Sequence, residues 1–168
     1  EELELPYEVH HVRMAMKEQK RPEYLAISPA GVVPTIVDPE AGGLAVIESG
    51  AILIYLAEKF GAFIPTDLAG RTECLNWLMW QMGSAPYLGG GFGHFYAYAP
   101  EKFEYPINRF TMETKRQLDV LDKRLAKNKY LAGEEYTIAD IAVWPWYGSL
   151  VIDNLKIIFD ICFDANCG

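Results

Sequence analysis

The sequence has few cysteines, no long apolar run and an excess of acidic side chains. The three cysteines, Cys74, Cys162 and Cys167, are odd in number and form no CxxC or metal-ligand spacing. Neither a disulfide scaffold nor a metal site is therefore predicted. No apolar segment approaches the roughly 20 residues of a membrane helix, and no signal peptide is recognisable at the N-terminus. These absences together predict a cytoplasmic protein.

The charge balance excludes two kinds of partner. Lysine and arginine number 15 against 23 aspartates and glutamates, which gives a formal net charge of −8. Such a chain repels nucleic acid and anionic membranes, so neither is a predicted partner. An anionic small ligand would need a locally positive site. Of the 168 residues, 51% are hydrophobic, which is enough to form the core of one domain or of two small ones.

Residues 32–61 carry the clearest local pattern. Strands are predicted at 35–37 and 44–47, on either side of a turn rich in proline and glycine, and a helix is predicted to begin at Ser49. Ser49 is either a simple helix cap or part of a carboxylate site at the positive end of the helix. Pro34 is either an ordinary strand-edge proline or follows a cis bond that turns main-chain groups outward.

The flanking segments complete the domain organisation. A strand is predicted at 7–12 and a short helix from Pro22. After a connection at 60–68 the strand patterns stop, which predicts an incomplete α+β domain at 1–64 and an all-helical domain at 65–168. Helices are predicted at 71–82 and 105–127 with a loop at 83–100 between them, and Thr137 and Asp140 are predicted to cap a further helix.

The residues around Pro34 resemble a known binding site. Val33-Pro34, followed by a strand, a glycine turn and Glu48-Ser49-Gly50, is similar to the glutathione site of the glutathione transferase superfamily. The resemblance implies a thioredoxin-like domain, a cis bond before Pro34, and pairing of the Val33 main chain with the cysteinyl part of glutathione. It also implies that Glu48 and Ser49 hold the γ-glutamyl end, where a carboxylate can accept from the ammonium and a hydroxyl can bind the carboxylate.

Motifs in the second half narrow the resemblance to the Nu class of that superfamily, the bacterial disulfide-bond oxidoreductases of the YghU type. They are NWLMWQ at 76–81, GGGFGHFY at 89–96, INRF at 107–110 and WPW at 144–146. By this resemblance Gln19 and Arg109 contact glutathione, and Val32 stands where the family tends to have lysine. From the sequence alone, Arg109 could instead form an i,i+4 ion pair with Glu113.

The resemblance implies a function in which glutathione is a co-substrate and no metal takes part. Two glutathione molecules reduce a small disulfide or an organic peroxide, and the protein is a homodimer. A Thr-Pro-Asn turn of the family, which stabilises the thiolate, has no counterpart in the sequence, so no catalytic residue is assigned. We therefore expect a chain trimmed at the front, with a divergent tail from about residue 152. The alternative is a catalytically dead fragment that serves as a binding module.

The predicted loop at 83–100 allows several interpretations. Its GGGxG run is no phosphate cradle, because no strand precedes it and no Lys-Ser/Thr follows. Its aromatic residues either form the wall of a second-substrate site or cover an interface between the domains. His94 is predicted to be a surface or hydrogen-bonded histidine rather than an acid or base. The WPW motif at 144–146 predicts core packing with a helix kink.

Overall fold

The computed structural model describes residues 1–151. These residues divide into two compact units, Glu1–Ala62 and the residues from Phe63 onward. An α+β unit is followed by an all-helical unit, which confirms the predicted fold class. The tail from residue 152, with Cys162 and Cys167, lies outside the described residues.

The first unit is built on one β-hairpin and the helix that follows it. Strands β1 (Thr35–Asp38) and β2 (Leu44–Ile47) are antiparallel, with Thr35 opposite Ile47 and Asp38 opposite Leu44. Helix α1 (Pro22–Leu25) precedes the hairpin and α2 (Ser49–Phe60) follows it. The described residues of this unit also contain three short 3₁₀ turns, Met14–Met16, Glu18–Lys20 and Pro39–Ala41.

The strand predicted at 7–12 is wrong. These residues have no strand structure, and the sheet of the described residues contains β1 and β2 alone. A strand exists only where its main chain forms a hydrogen-bonded ladder with a neighbour. The alternation of side chains at 7–12 was therefore not enough to predict a strand, because it does not show that a neighbouring strand is present.

Asp38 fixes the hairpin turn to α2. One carboxylate oxygen accepts from the backbone N–H groups of Glu40 and Ala41, at 2.9 and 3.2 Å. The other accepts from the Tyr55 hydroxyl at 2.6 Å and from the Lys59 ammonium. Because Tyr55 and Lys59 lie on the last two turns of α2, this carboxylate joins the turn to the far end of that helix.

Asp38→Asn is expected to destabilise the chain at pH 7. The Lys59 ammonium, and after it the Tyr55 hydroxyl, lower the pKa of Asp38 to about 2. Because the folded pKa lies below the unfolded value of about 3.9, the stabilisation is fully present above that value and is lost as the pH falls towards 2. Urea unfolding between pH 7 and pH 2.5 should show the difference in unfolding free energy between wild type and variant shrinking across this window. A difference that stays constant with pH would contradict the assignment, and Glu40→Gln is the control.

Within the described residues, the second unit contains four consecutive helical segments. They are α3 (Leu68–Pro86), a π-helical segment (Tyr87–Tyr98), α4 (Glu104–Leu125) and α5 (Ile138–Val151). Its core includes side chains at most 5% exposed from α3, α4, α5 and the connection before α5: Cys74, Leu78, Leu121, Leu131, Ile138, Ala139 and Tyr147. No helix within residues 1–151 is both long and apolar enough to cross a bilayer.

The predicted cap of α5 is confirmed. The Thr137 hydroxyl oxygen accepts from the Ala139 N–H at 3.3 Å, and Asp140 accepts from the Thr137 N–H at 3.0 Å. The same carboxylate also accepts from the Leu131 N–H at 2.8 Å. This reciprocal arrangement satisfies N–H groups at the helix start and ties the preceding connection to it.

The loop predicted at 83–100 is wrong, since α3 continues to Pro86 and the next twelve residues form the π-helical segment. Glycine has a low helix propensity, but here its lack of a side chain allows close packing. A Cβ on Gly91 would lie 2.4 Å from the Phe110 ring, and one on Gly89 would lie 3.1 Å from the Trp146 ring.

The prediction that the WPW motif at 144–146 packs in the core is partly wrong, because Trp144 is 63% exposed.

Candidate functional site

The segment before β1 is held by two side-chain hydroxyls. The Val32 carbonyl accepts from the Tyr24 hydroxyl at 2.8 Å and from the Ser28 hydroxyl at 3.0 Å. The Tyr24 oxygen also lies 3.0 Å from the Thr35 hydroxyl, on the first residue of β1. Since the Tyr24 proton is given to Val32, Thr35 is the donor in that second bond. Sequence reasoning missed Tyr24 and Ser28, although their i,i+4 spacing just before the Val-Pro pair was a usable signal.

Val33 presents its main chain next to this anchor. The Val33–Pro34 peptide bond is cis, as the resemblance implied. Val33 is 44% exposed. Among the described residues, neither its N–H nor its carbonyl has a hydrogen-bond partner. An extended ligand could therefore pair with it as a strand pairs with a sheet edge.

The hairpin register brings Glu48 and Ser49 to the same end of the sheet as Val33 and Pro34. Thr35 is opposite Ile47, so the residue before β1 and the residue after β2 are neighbours across the hairpin. Glu48 is exposed and occupies the N-cap position of α2, with φ 68° and ψ 121° and no capping hydrogen bond from its side chain. Such a backbone conformation costs on the order of 1–3 kcal/mol in a residue other than glycine. The helix begins at Ser49, as predicted, and of the two alternatives for Ser49 the simple N-cap is wrong, because Glu48 occupies that position.

The first turn of α2 supplies the positive potential that an anion needs. The early N–H groups of a helix have no carbonyl partner within it, and the helix dipole adds partial positive charge at this end. Gly50 in this turn is buried, so its main chain packs closely. The carboxylate of Glu48 and the N-terminus of α2 thus lie side by side, one suited to an ammonium and the other to a carboxylate.

Gln19 lies close to the same segment. It belongs to the 3₁₀ turn Glu18–Lys20, and its backbone oxygen would be 2.8 Å from a Cβ on Gly31. The neighbouring Lys20 ammonium donates to the Gly31 carbonyl at 3.2 Å. The side-chain oxygen of Gln19 is buried without a hydrogen-bond partner among residues 1–151. An unsatisfied buried acceptor costs about 1–3 kcal/mol, so a donor is expected there when the site is filled.

Arg109 lies on α4 in the second unit, whereas the other predicted site residues lie in the first. Its side chain is 55% exposed, and its guanidinium is 3.9 Å from the Glu113 carboxylate. The i,i+4 ion pair expected from the sequence is therefore present. Hydrogen bonds from the Arg116 guanidinium lower the pKa of Glu113 to about 2, and Gln117 adds to the effect. Glu113 is thus a fixed anion beside Arg109 at neutral pH.

The aromatic residues of the π-helical segment partly serve its packing. Phe95 stacks on Phe110 of α4 at 5.6 Å, and Tyr87 lies 6.4 Å from the same ring. Phe92 stacks on Tyr96 at 5.1 Å, while Tyr96 is 52% exposed. His94 is exposed and lies edge-on to Phe95 at 4.9 Å. Packing on α4 therefore explains Phe95 and Tyr87, and it leaves Tyr96 available to a ligand.

The described residues contain no metal site and no reactive thiol. No three His, Cys, Asp or Glu side chains among them are grouped so as to hold an ion. Cys74 is fully buried, and burial raises the pKa of its thiol. A thiol with a raised pKa is a poor nucleophile, so this cysteine is part of the core.

Two family models match the chain. The one described as glutathione S-transferase, N-terminal domain, matches residues 1–63, and the one described as glutathione S-transferase, C-terminal domain, matches residues 104–157. The chain is 55% identical over 150 residues to the disulfide-bond oxidoreductase YghU of Escherichia coli, covering 89% of this chain and 52% of that protein. It is 47% identical over 150 residues to the disulfide-bond oxidoreductase YfcG of the same organism, covering 87% and 70%.

Solved structures of glutathione transferases are also similar to the chain. A glutathione transferase YghU from Streptococcus pneumoniae, complexed with glutathione, has a TM-score of 0.80 and 54% identity, covering 83% of this chain and 57% of its own. A glutathione transferase from Burkholderia graminis, with two glutathione molecules bound per subunit, has a TM-score of 0.83 and 40% identity, covering 94% and 68%. The chain spans a little over half the length of its first curated relatives, at 58% and 52%.

Proposed function

The chain belongs to the glutathione transferase family, and from this premise we propose that its first unit binds glutathione for the reduction of small disulfides. The observation that carries the proposal is the juxtaposition of Val33, Glu48 and the α2 N-terminus at one end of the hairpin. Val33 offers a main-chain edge for the peptide of glutathione, and Glu48 offers a carboxylate for its ammonium. The N-terminus of α2 offers a positive potential for its carboxylate.

The proposed contacts follow the chemistry of the tripeptide. The Val33 main chain pairs with the cysteinyl residue, and the Glu48 carboxylate accepts from the γ-glutamyl ammonium. Ser49, at the helix N-terminus, binds the adjacent α-carboxylate. Gln19 adds a polar contact. As a separate proposal, Arg109 on α4 binds a carboxylate of glutathione, as its planar guanidinium is suited to do.

The proposed reaction is two successive thiol–disulfide exchanges. The thiolate of one glutathione attacks a sulfur of the substrate disulfide, which forms a mixed disulfide and releases the first product as a thiolate. A second glutathione attacks the glutathione sulfur of the mixed disulfide and releases the second product thiol. Glutathione disulfide is the oxidised product, and protons from water or buffer convert the product thiolates to thiols. No protein cysteine takes part, which suits a chain whose described cysteine is buried.

The proposal also covers a second substrate class, the assembly, the domain boundary and the location. We propose organic peroxides as a second substrate class, a homodimer as the assembly, a domain boundary at residues 64–65 and the cytoplasm as the location. The cytoplasm keeps thiols reduced, and the described cysteine is a free thiol. The competing proposal is a binding module of the same fold that holds glutathione without catalysis.

An assay with 2-hydroxyethyl disulfide, run beside calorimetric titration with reduced glutathione, tests the proposal. Saturable binding with glutathione-dependent turnover supports it, and turnover of cumene hydroperoxide would extend it to peroxides. Binding without turnover favours the binding module. Absence of binding by a folded sample would overturn both.

Tyr24→Phe and Ser28→Ala are each expected to weaken glutathione binding without unfolding the chain. Each removes one of two hydrogen bonds to the Val32 carbonyl, which precedes the main chain that pairs with the ligand. A hydrogen bond worth about 0.5–1.5 kcal/mol corresponds to a loss of about 2- to 10-fold in affinity. Calorimetry measures it, with Tyr55→Phe as the control because that hydroxyl serves the opposite end of the hairpin. Equal losses in all three variants would show a general effect on folding instead.

A further inference from the structure

A continuous series of polar side chains runs from the core of the second unit to Arg109. The Tyr147 hydroxyl on α5 donates to the Gln117 side-chain oxygen on α4 at 2.9 Å. The Gln117 amide donates to the Glu113 carboxylate at 3.0 Å and also lies 3.4 Å from the Ser84 carbonyl on α3. Gln117 is 0% exposed and Tyr147 is 2% exposed. Polar groups so deeply buried are held in place by their partners.

Glu113 is the outer member of this series and is held from two sides. Its side chain is 12% exposed. Arg116 donates to both carboxylate oxygens, at 3.0 and 2.6 Å, and Gln117 donates to one of them. Three hydrogen bonds in a partly buried position leave the carboxylate one orientation. It is therefore a fixed charge rather than one end of a mobile surface pair.

Arg109 and Arg116 share this carboxylate unequally. Both guanidinium side chains are 55% exposed. Arg116 uses two N–H groups on Glu113, whereas the closest Arg109 nitrogen is 3.9 Å away, beyond hydrogen-bond distance. Within the described part of the chain, no hydrogen bond uses the Arg109 donors. Glu113 thus attracts the Arg109 guanidinium without occupying its N–H donors.

We propose that Glu113 is a positioning residue for Arg109. The carboxylate, fixed by Arg116 and by the buried Gln117–Tyr147 pair, holds the Arg109 guanidinium ready for a ligand carboxylate. The inference rests on the proposed function, because it takes the Arg109 ligand to be the carboxylate of glutathione. Its physical basis is that a guanidinium oriented before binding loses less side-chain freedom when the ligand arrives.

Glu113→Gln separates positioning from simple charge, because the two effects have opposite signs. Removing a negative charge beside a site for an anion should tighten binding, whereas releasing Arg109 should weaken it. We expect glutathione affinity, measured by calorimetry, to fall by at least about 2-fold, the lower end of the range of about 2- to 150-fold that coupling between contacting residues covers. An unchanged or tighter affinity would overturn the inference. In an Arg109→Ala background the same substitution should no longer weaken binding.

Asp119→Asn is the matched control. It removes one negative charge from the same helix and breaks an exposed i,i+4 pair with Lys123 at 2.6 Å. Its affinity should equal that of the wild type. Tyr147→Phe keeps the ring and loses the bond to Gln117, so a smaller loss of affinity than in Glu113→Gln is expected. A loss in Asp119→Asn equal to that in Glu113→Gln would mean that any charge change on α4 suffices, which also overturns the inference.

A measurement without ligand decides the inference independently of the proposed function. The heteronuclear ¹⁵N NOE of the Arg109 Nε–H group should report an ordered side chain in the free wild-type protein and in Asp119→Asn, and a mobile one in Glu113→Gln. An Arg109 side chain equally mobile in all three would overturn the positioning role. If the wild type binds no glutathione, the proposed function fails, and this measurement still decides whether Glu113 orders Arg109.

Discussion

Glu48→Ala is expected to weaken glutathione binding by about 10- to 150-fold, which corresponds to the roughly 1.5–3 kcal/mol of a charge-assisted hydrogen bond. The Glu48 side chain makes no capping bond to α2, so its removal leaves the helix start unchanged. The strained backbone at this residue, φ 68°, is explained if its side chain is needed at this position for binding. Calorimetric titration with reduced glutathione measures the loss.

Two further variants make the Glu48 result specific. Glu48→Gln keeps the size of the side chain and removes its charge, so a loss close to that of alanine shows that the charge attracts the ligand ammonium. Glu40→Ala removes a carboxylate at the opposite end of the same hairpin, where Glu40 pairs with Lys59 at 3.0 Å. Its affinity should match that of the wild type. A Glu48→Ala variant that binds as tightly as the wild type would place the ligand elsewhere.

Gly91→Ala is expected to destabilise the second unit by about 1–3 kcal/mol, the usual cost of overpacking. The added Cβ would lie 2.4 Å from the Phe110 ring, and that ring is held by stacking on Phe95 at 5.6 Å. The ring therefore has little room to move. Chemical denaturation at pH 7 measures the change in unfolding free energy.

Gly90→Ala is the matched control for this packing. It lies in the same π-helical segment, and nothing lies within 4 Å of its Cβ position. Alanine there should be neutral or stabilise by about 0.5–1 kcal/mol, because glycine loses more conformational freedom on folding. If both variants lose equal stability, the cost comes from the segment itself rather than from the contact with Phe110.

The hairpin and α2 could be predicted because their signals are local. Short runs of mostly apolar residues on either side of a turn rich in proline and glycine define the hairpin, and Ser49 marks the start of α2. The cap of α5 was predictable for the same reason, since Thr137 and Asp140 interact three residues apart. Where two contacting residues are close in the chain, a short segment of the sequence contains both of them.

The errors arise where partners are distant. The π-helical segment has the composition of a loop, and packing of Gly91 against Phe110 decides its structure. Gln117 and Tyr147 are thirty residues apart and buried together, yet glutamine in a helix is typical of a surface. A pattern along the chain cannot show that two such polar groups satisfy each other. The contacts from which the role of Glu113 is proposed therefore require the structure.

An NMR titration of the ¹⁵N-labelled chain with reduced glutathione tests the central claim most directly. The claim predicts saturable shifts of the backbone amides of Val33, Glu48, Ser49 and Gly50, because these lie where the hairpin end meets the first turn of α2. The amide resonances of residues at the opposite end of the hairpin, such as Glu40 and Ala41, should not shift. Saturable shifts confined to other regions, or none at all in a folded sample, would contradict the assignment of this end of the hairpin as the glutathione site.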